Sequence, residues 1–161
     1  MHRVGQFVSH LTSRVTPDDE VAAHQILPTS AWGLFDGMAV VDRRHGLDVA
    51  RRLLAQGIDD HDLLAASLVH DAAKGHRLRL WHRVGGVLLA RLAPWALTRL
   101  ASPDPASRGH AWWVFLHHAQ LSAEAARSAG LSERVAAFIA GSPPAGDERL
   151  AMALHAADEA S

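Results

Sequence analysis

The chain has 161 residues, 48% of them hydrophobic and 20% charged, with a formal net charge of −1. That length suits one domain with a sizeable core, and the balanced charge gives no basis for DNA binding. Cysteine is absent, which excludes disulfides, thiolate nucleophiles and thiolate metal sites and suits a reducing, cytoplasmic compartment.

Met1 to Ser13 lacks the unbroken apolar core of a signal peptide. No window reaches about 18 uncharged apolar residues, so no transmembrane segment is expected. Alternating β-branched runs are missing, whereas Ala, Leu and Arg dominate, so the class is all-α.

Residues 2–14 can form a first helix, with Val4, Phe7, Val8 and Leu11 on one face. Thr16-Pro17-Asp18-Asp19-Glu20 is a strong helix start, and that helix stops before Pro28. Ser30 can cap a short helix through Trp32, Leu34, Phe35 and Met38. The next helix runs from about Val40 to Gln56 and ends at Gly57. Asp59 or Asp60 caps a helix that continues to Gly75. Residues 76–93 are basic and apolar together, and Pro94 breaks them. Residues 101–109 are a loop by composition. A long helix spans roughly His110 to Ala129, and Ser132-Glu133 starts another. Gly141 to Gly146 is a turn, after which Asp147 can cap the last helix.

Twelve histidines are the compositional oddity, so position decides which of them matter. His70-Asp71 ends the apolar run AASLVHDAAK. Burying such a pair costs several kcal/mol unless the two are paired or metal-bound. Two readings stand side by side: a metal-ligating pair, or an ion pair between Asp71 and Lys74 three residues on. Neutral imidazole and carboxylate are suited to divalent cations. His45 precedes the pair on one helix, and Asp158 follows far downstream in LHAADEAS. Elsewhere, Gly85-Gly86 lies in an apolar helical run and is no phosphate loop. Trp112, Trp113 and Phe115 read as core. The basic stretch 74–83 reads foremost as a solvated face or phosphate-attracting rim, and residues 76–100 are a candidate interface between copies.

The order His45, His70-Asp71, Asp158 resembles the HD-domain superfamily of metal-dependent phosphohydrolases. Its flanks DRRHGLDVARRL, DLLAASLVHDAAK, HAQLSAEAARSAGLSERV and ERLAMALHAADEA are similar too. The resemblance covers about residues 38–161 and leaves residues 1–37 as an N-terminal helical extension of a single-domain HD-like helical bundle. It implies one divalent metal ion (Mn, Fe, Co, Ni, Zn or Mg) held by His45, His70, Asp71 and Asp158. Asp71 would also orient the attacking water, and Lys74 would act in catalysis and bind substrate phosphate with Arg44. The implied substrate is a small phosphorylated molecule, with a nucleotide as one candidate.

Many members bind a second metal through further histidines. His118 of LHHAQLSAEAA falls where the first of these stands. The second should fall near residues 139–143, which read IAGSP and hold no histidine. His155, one turn before Asp158, is a weaker substitute. This departure argues against the di-iron oxygenase branch. It leaves a catalytically silent HD scaffold, binding a nucleotide or a partner protein, as the alternative to a hydrolase.

Overall fold

The described residues of a computed structural model, 14–75 and 80–161 without the side chains of 80–84 and 87, form nine α-helices and one 3-10 turn. The helices are α1 (Pro17–Ile26), α2 (Thr29–Asp36), α3 (Val40–Ala55), α4 (His61–Val69), α5 (Leu80–Leu92), α6 (Pro94–Leu100), α7 (His110–Ser128), α8 (Glu133–Ile139) and α9 (Glu148–Glu159). The 3-10 turn is Ala72–Lys74. The helix expected over 2–14 and the first residues of the basic stretch lie outside the described residues.

Local chemistry sets most helix ends. Thr16 accepts the Asp19 N–H at 3.3 Å, and the Asp19 carboxylate takes the Thr16 N–H at 2.8 Å. This capping box satisfies two otherwise orphaned donors ahead of Pro17. Asp60 caps α4 through the Leu63 N–H at 3.0 Å, and Ser132 caps α8 through Val135 at 3.1 Å. Two expected caps are different. α2 starts at Thr29 behind Pro28, whose fixed φ of −65° and extended ψ of 155° lead the chain in without any cap from Ser30. Asp147 precedes α9 but makes no capping bond. Its carboxylate is taken by Arg134 at two points, 2.7 and 2.9 Å, while the same guanidinium reaches Asp60 at 2.8 Å. A two-point charged pair outweighs one neutral N–H.

Helix α4 is the centre of the bundle. Every residue from Leu63 to Val69 is buried, which explains why that stretch reads apolar all round rather than on one face. It packs on α3, α8 and α9. Leu53 and Val49 of α3, Val135 of α8 and Phe35 of α2 close the core around it. At about 1.5–3 kcal/mol for each large side chain buried, this cluster is the main favourable term in folding. Ala23, Leu27, Ala31 and Phe35 belong to the same core, so α1 and α2 are packed into one unit with the helices that follow.

Asp19 does more than cap. Its side chain is 3% exposed and takes Arg44 at 3.1 Å as well as Arg51. Burial pushes its carboxyl up, but the Thr16 hydrogen bonds and the Arg51 charge outweigh that and hold it below the usual aspartate value. The linkage sign follows: this stabilisation is complete above the unfolded value of about 3.9 and is lost as pH falls through the depressed folded value. Asp19→Asn is therefore less stable than the parent at neutral pH. Melting curves taken from pH 7 down to 3 will show the difference narrowing below about pH 4. A difference independent of pH rules the ion pairs out as its source.

Helices α5 and α6 pack on α7 through glycine. A Cβ on Gly86 would stand 2.7 Å from the Phe115 ring, and one on Gly85 would stand 3.2 Å from Trp112. Trp112, Trp113 and Phe115, expected in the core, are half-buried, Trp112 and Phe115 against these glycines. Trp113 instead stacks on His117 with ring centroids 4.6 Å apart. The outer side of α5 and α6 leaves Leu88, Leu92 and Trp95 exposed. No helix among the described residues is long and apolar enough to cross a membrane.

Candidate metal centre

His45 sits in the middle of α3, His70 closes α4 and Asp158 lies in the last turn of α9. The three helices converge so that one ligand atom from each lies within 4.8 Å of the others. A carboxylate can only accept, so His45 Nε2–H donates to Asp158 Oδ1, at 2.7 Å. The carbonyl of Ser67 likewise only accepts, so His70 Nδ1–H donates to it, at 2.9 Å.

That second bond decides the chemistry of the site. With Nδ1 carrying the hydrogen, Nε2 of neutral His70 presents a lone pair. It points at Asp158 Oδ1, 3.3 Å away, and at Asp71 Oδ1, 3.6 Å away. Both His70 Nε2 and Asp71 Oδ1 are buried without a hydrogen-bond partner among the described residues. Electron-rich atoms facing one another in a buried site need a positive charge between them, supplied by a proton on Nε2 or by a bound cation. A divalent cation fits that need; His70, Asp71 and Asp158 would hold it, joined by His45 once its Nε2 gives up the hydrogen. The hydrogen bond to the Ser67 carbonyl would fix the ring of His70 for ligation.

The same geometry governs the protonation states. Burial drives the His70 imidazole down, but the charges of Asp71 and Asp158 outweigh it and leave the ring raised. Burial drives the Asp71 carboxyl up, and His70 and Lys74 overcome it, so it stays ionised. Asp158 is driven up by burial as well, yet His45 and His70 hold it far below the usual carboxylate range.

The chain beyond His70 is shaped to present Asp71. Gly75 takes φ 50° and ψ −171°, a backbone state open to glycine, and the 3-10 turn before it brings Lys74 back over Asp71. Lys74 Nζ donates to Asp71 Oδ2 at 2.6 Å, leaving Oδ1 for the cluster. The ion-pair and ligand readings of Asp71 are thus met by different oxygens of one carboxylate. Ser122, fully buried in α7, pins the turn by accepting the Ala73 N–H at 3.0 Å.

His118 of α7 stands across a cleft of about 530 Å³ whose floor includes His70 and Asp158. Its Nδ1–H donates to the Phe115 carbonyl at 2.8 Å, so Nε2 is the free nitrogen. Burial, then the charge of Lys74, lowers its pKa and keeps it neutral. It borders the site without belonging to the tight group of three donors. His155 is well exposed on the cleft rim and lies 3.8 Å from Glu159.

Arg44, expected to meet substrate phosphate, is engaged elsewhere. Its guanidinium reaches Asp19 at 3.1 Å and Asp48 at 3.2 Å. It neighbours His45 in sequence, but successive helical residues diverge by about 100°, so the two face different partners. Arg43 is likewise paired, with Asp36 at 2.8 Å.

Three contributors escape a reading of motifs. Ser67 and Ser122 act through a backbone carbonyl and a buried hydroxyl within Ala-rich helices. Gly46 allows the close approach of α3 to α4: a Cβ there would lie 2.8 Å from the Leu68 carbonyl oxygen and 2.9 Å from that of Ser67. Glycine inside a helix, beside a candidate ligand, is the one signal in the sequence that hints at this, since it costs about 1 kcal/mol relative to alanine and needs a packing reason.

Compared with protein-family models, curated proteins and solved structures, the chain matches none of them.

Proposed function

We propose that this protein is an HD-like, metal-dependent phosphohydrolase acting on a phosphoester, with a nucleotide as one candidate substrate. The observation that carries the reading is the convergence of His45, His70 and Asp158, of which His70 and Asp158 line a cleft, with Asp71 Oδ1 buried 3.6 Å from His70 Nε2 and neither of those two atoms hydrogen-bonded among the described residues. A divalent cation there supplies Lewis-acid polarisation of phosphoryl oxygen and lowers the pKa of water at neutral pH. Asp71, fixed through Oδ2 by Lys74, has Oδ1 to orient a water or accept its proton. Lys74 adds positive charge beside the site for a phosphoryl group. Neutral His118, which also lines the cleft, has its Nε2 lone pair to accept a proton from the reacting water.

A silent scaffold is the second reading, favoured by residues 139–143. Ile139, Gly141 and Pro143 form an apolar cleft wall where a second-metal histidine would stand. The same feature weighs against a di-iron oxygenase.

Purification with Mn, Co, Ni or Mg, followed by elemental analysis and a screen of nucleotides and generic phosphoesters, separates these readings. The expected result is one metal per chain and metal-dependent hydrolysis that the double variant His70→Ala, Asp71→Ala lacks. A metal-free protein that added metal does not stabilise thermally identifies the scaffold. Two irons per chain would identify the oxygenase.

A further inference from the structure

The cleft above the cluster has walls of a different character from its floor. Phe138 and Ile139 come from α8, Met152 and Leu154 from α9, and Pro143 from the turn joining them. Glu148 contributes a carboxylate, which accepts the Gly146 N–H at 3.0 and 3.1 Å. Among the described residues lining the cleft there is no lysine or arginine. Lys74 is tied to Asp71 by its 2.6 Å bond.

From these walls we infer that the substrate is a phosphomonoester of a predominantly apolar alcohol. Its phosphate lies on the cluster and its apolar group lies along the α8–α9 wall. The inference rests on the phosphohydrolase reading and narrows it. A di- or triphosphate tail would carry additional negative charge toward Glu148, with no lysine or arginine among the described lining residues to offset it. An alkyl or aryl group gains instead from leaving water against Phe138, Ile139 and Leu154. The reaction balances simply. Water's oxygen bonds to phosphorus, the P–O bond to the alcohol breaks, and a proton from the water passes to the alcohol oxygen, leaving inorganic phosphate and free alcohol.

Met152 provides the test because it lies on this wall yet is 70% exposed, so its replacement spares the core. Calorimetry on the full chain, metal-free and metal-loaded, would compare methylphosphonate, octylphosphonate and methylene-bridged ADP. Octylphosphonate is expected to bind about tenfold or more tighter than methylphosphonate. Met152→Ser, which adds no charge, should narrow the affinity ratio between the two phosphonates. Equal affinities for the two phosphonates, or tightest binding of the diphosphate, overturn the inference. Octylphosphonate binding without hydrolysis of octyl phosphate by any metal form sinks the hydrolase reading alone. Metal-dependent hydrolysis of nucleoside di- or triphosphates in preference to octyl phosphate sinks the apolar-substrate inference alone. Comparing soluble butyl and octyl phosphates with dodecyl phosphate in phosphatidylcholine vesicles distinguishes a free alcohol phosphate from a lipid source, both being forms of the same chemistry.

Discussion

Replacing His70 by alanine is expected to lower the affinity for a divalent cation by about 100-fold or more and to abolish metal-dependent hydrolysis. Loss of a residue that only hydrogen-bonds to a ligand costs about 10–100-fold in metal affinity or activity, and His70 would be a direct ligand. Its Nε2 is the donor whose direction is best defined, because Nδ1–H is committed to the Ser67 carbonyl at 2.9 Å. The effect has a thermal readout independent of turnover. Saturating the parent at about 100 times Kd adds about 2.7 kcal/mol, which in a domain of this size raises Tm by roughly 5–11 °C. Chelation reverses the rise in the parent and does nothing to His70→Ala. His155→Ala serves as the control, since that side chain is exposed and outside the group of three donors. If His70→Ala keeps the parent's metal-induced rise in Tm, the cluster is not the metal site.

Gly46→Ala should be strongly destabilising, costing about 2–3 kcal/mol and roughly 4–12 °C in Tm. An added Cβ would meet two backbone oxygens, of Leu68 at 2.8 Å and Ser67 at 2.9 Å, which have no rotamer by which to yield. α3 must therefore back away from α4, the most buried helix of the bundle. Because alanine is the better helix former by about 1 kcal/mol, any loss understates the packing cost. The same displacement separates His45 from His70, whose rings are 5.3 Å apart. Metal affinity and stability should then fall together. Gly33→Ala, with nothing within 4 Å of its Cβ, should be neutral or mildly stabilising by comparison. Thermal melts of the two variants side by side would decide the matter. A Gly46→Ala protein as stable as Gly33→Ala removes close backbone approach as the reason for glycine at 46.

Much of the helical framework was legible because its causes are local. The Thr16 capping box, the Asp60 and Ser132 caps and the breaks at Pro28, Gly57 and Pro94 each depend on residues within a few positions of one another. Where a distant partner competed, local reading failed. Asp147 looked like a cap, but Arg134 from α8 outbids the backbone for its carboxylate. Trp112, Trp113 and Phe115 looked like core because they are large and apolar. The structure leaves them half-buried, with Trp113 stacked on a histidine. The helix expected to run on to Gly75 stops at Val69, since the turn that follows answers to Ser122, about fifty residues away in sequence.

The candidate site divides in the same way. By itself the sequence determined the helical class, the lack of thiol chemistry, and a short set of imidazoles and carboxylates with Lys74 one turn past Asp71. Those are properties of residue type and of spacing within one element. Only the tertiary structure decided that His45, His70 and Asp158 meet, that Lys74 occupies one oxygen of Asp71 and leaves the other unpaired, and that Arg44 is spent on Asp19 and Asp48. It also decided that residues 139–143 form an apolar wall of the cleft. The physical reason is that helical periodicity reports which face of one helix avoids water. The direction of a lone pair is set by where separate helices cross and by which backbone carbonyl happens to stand behind the ring.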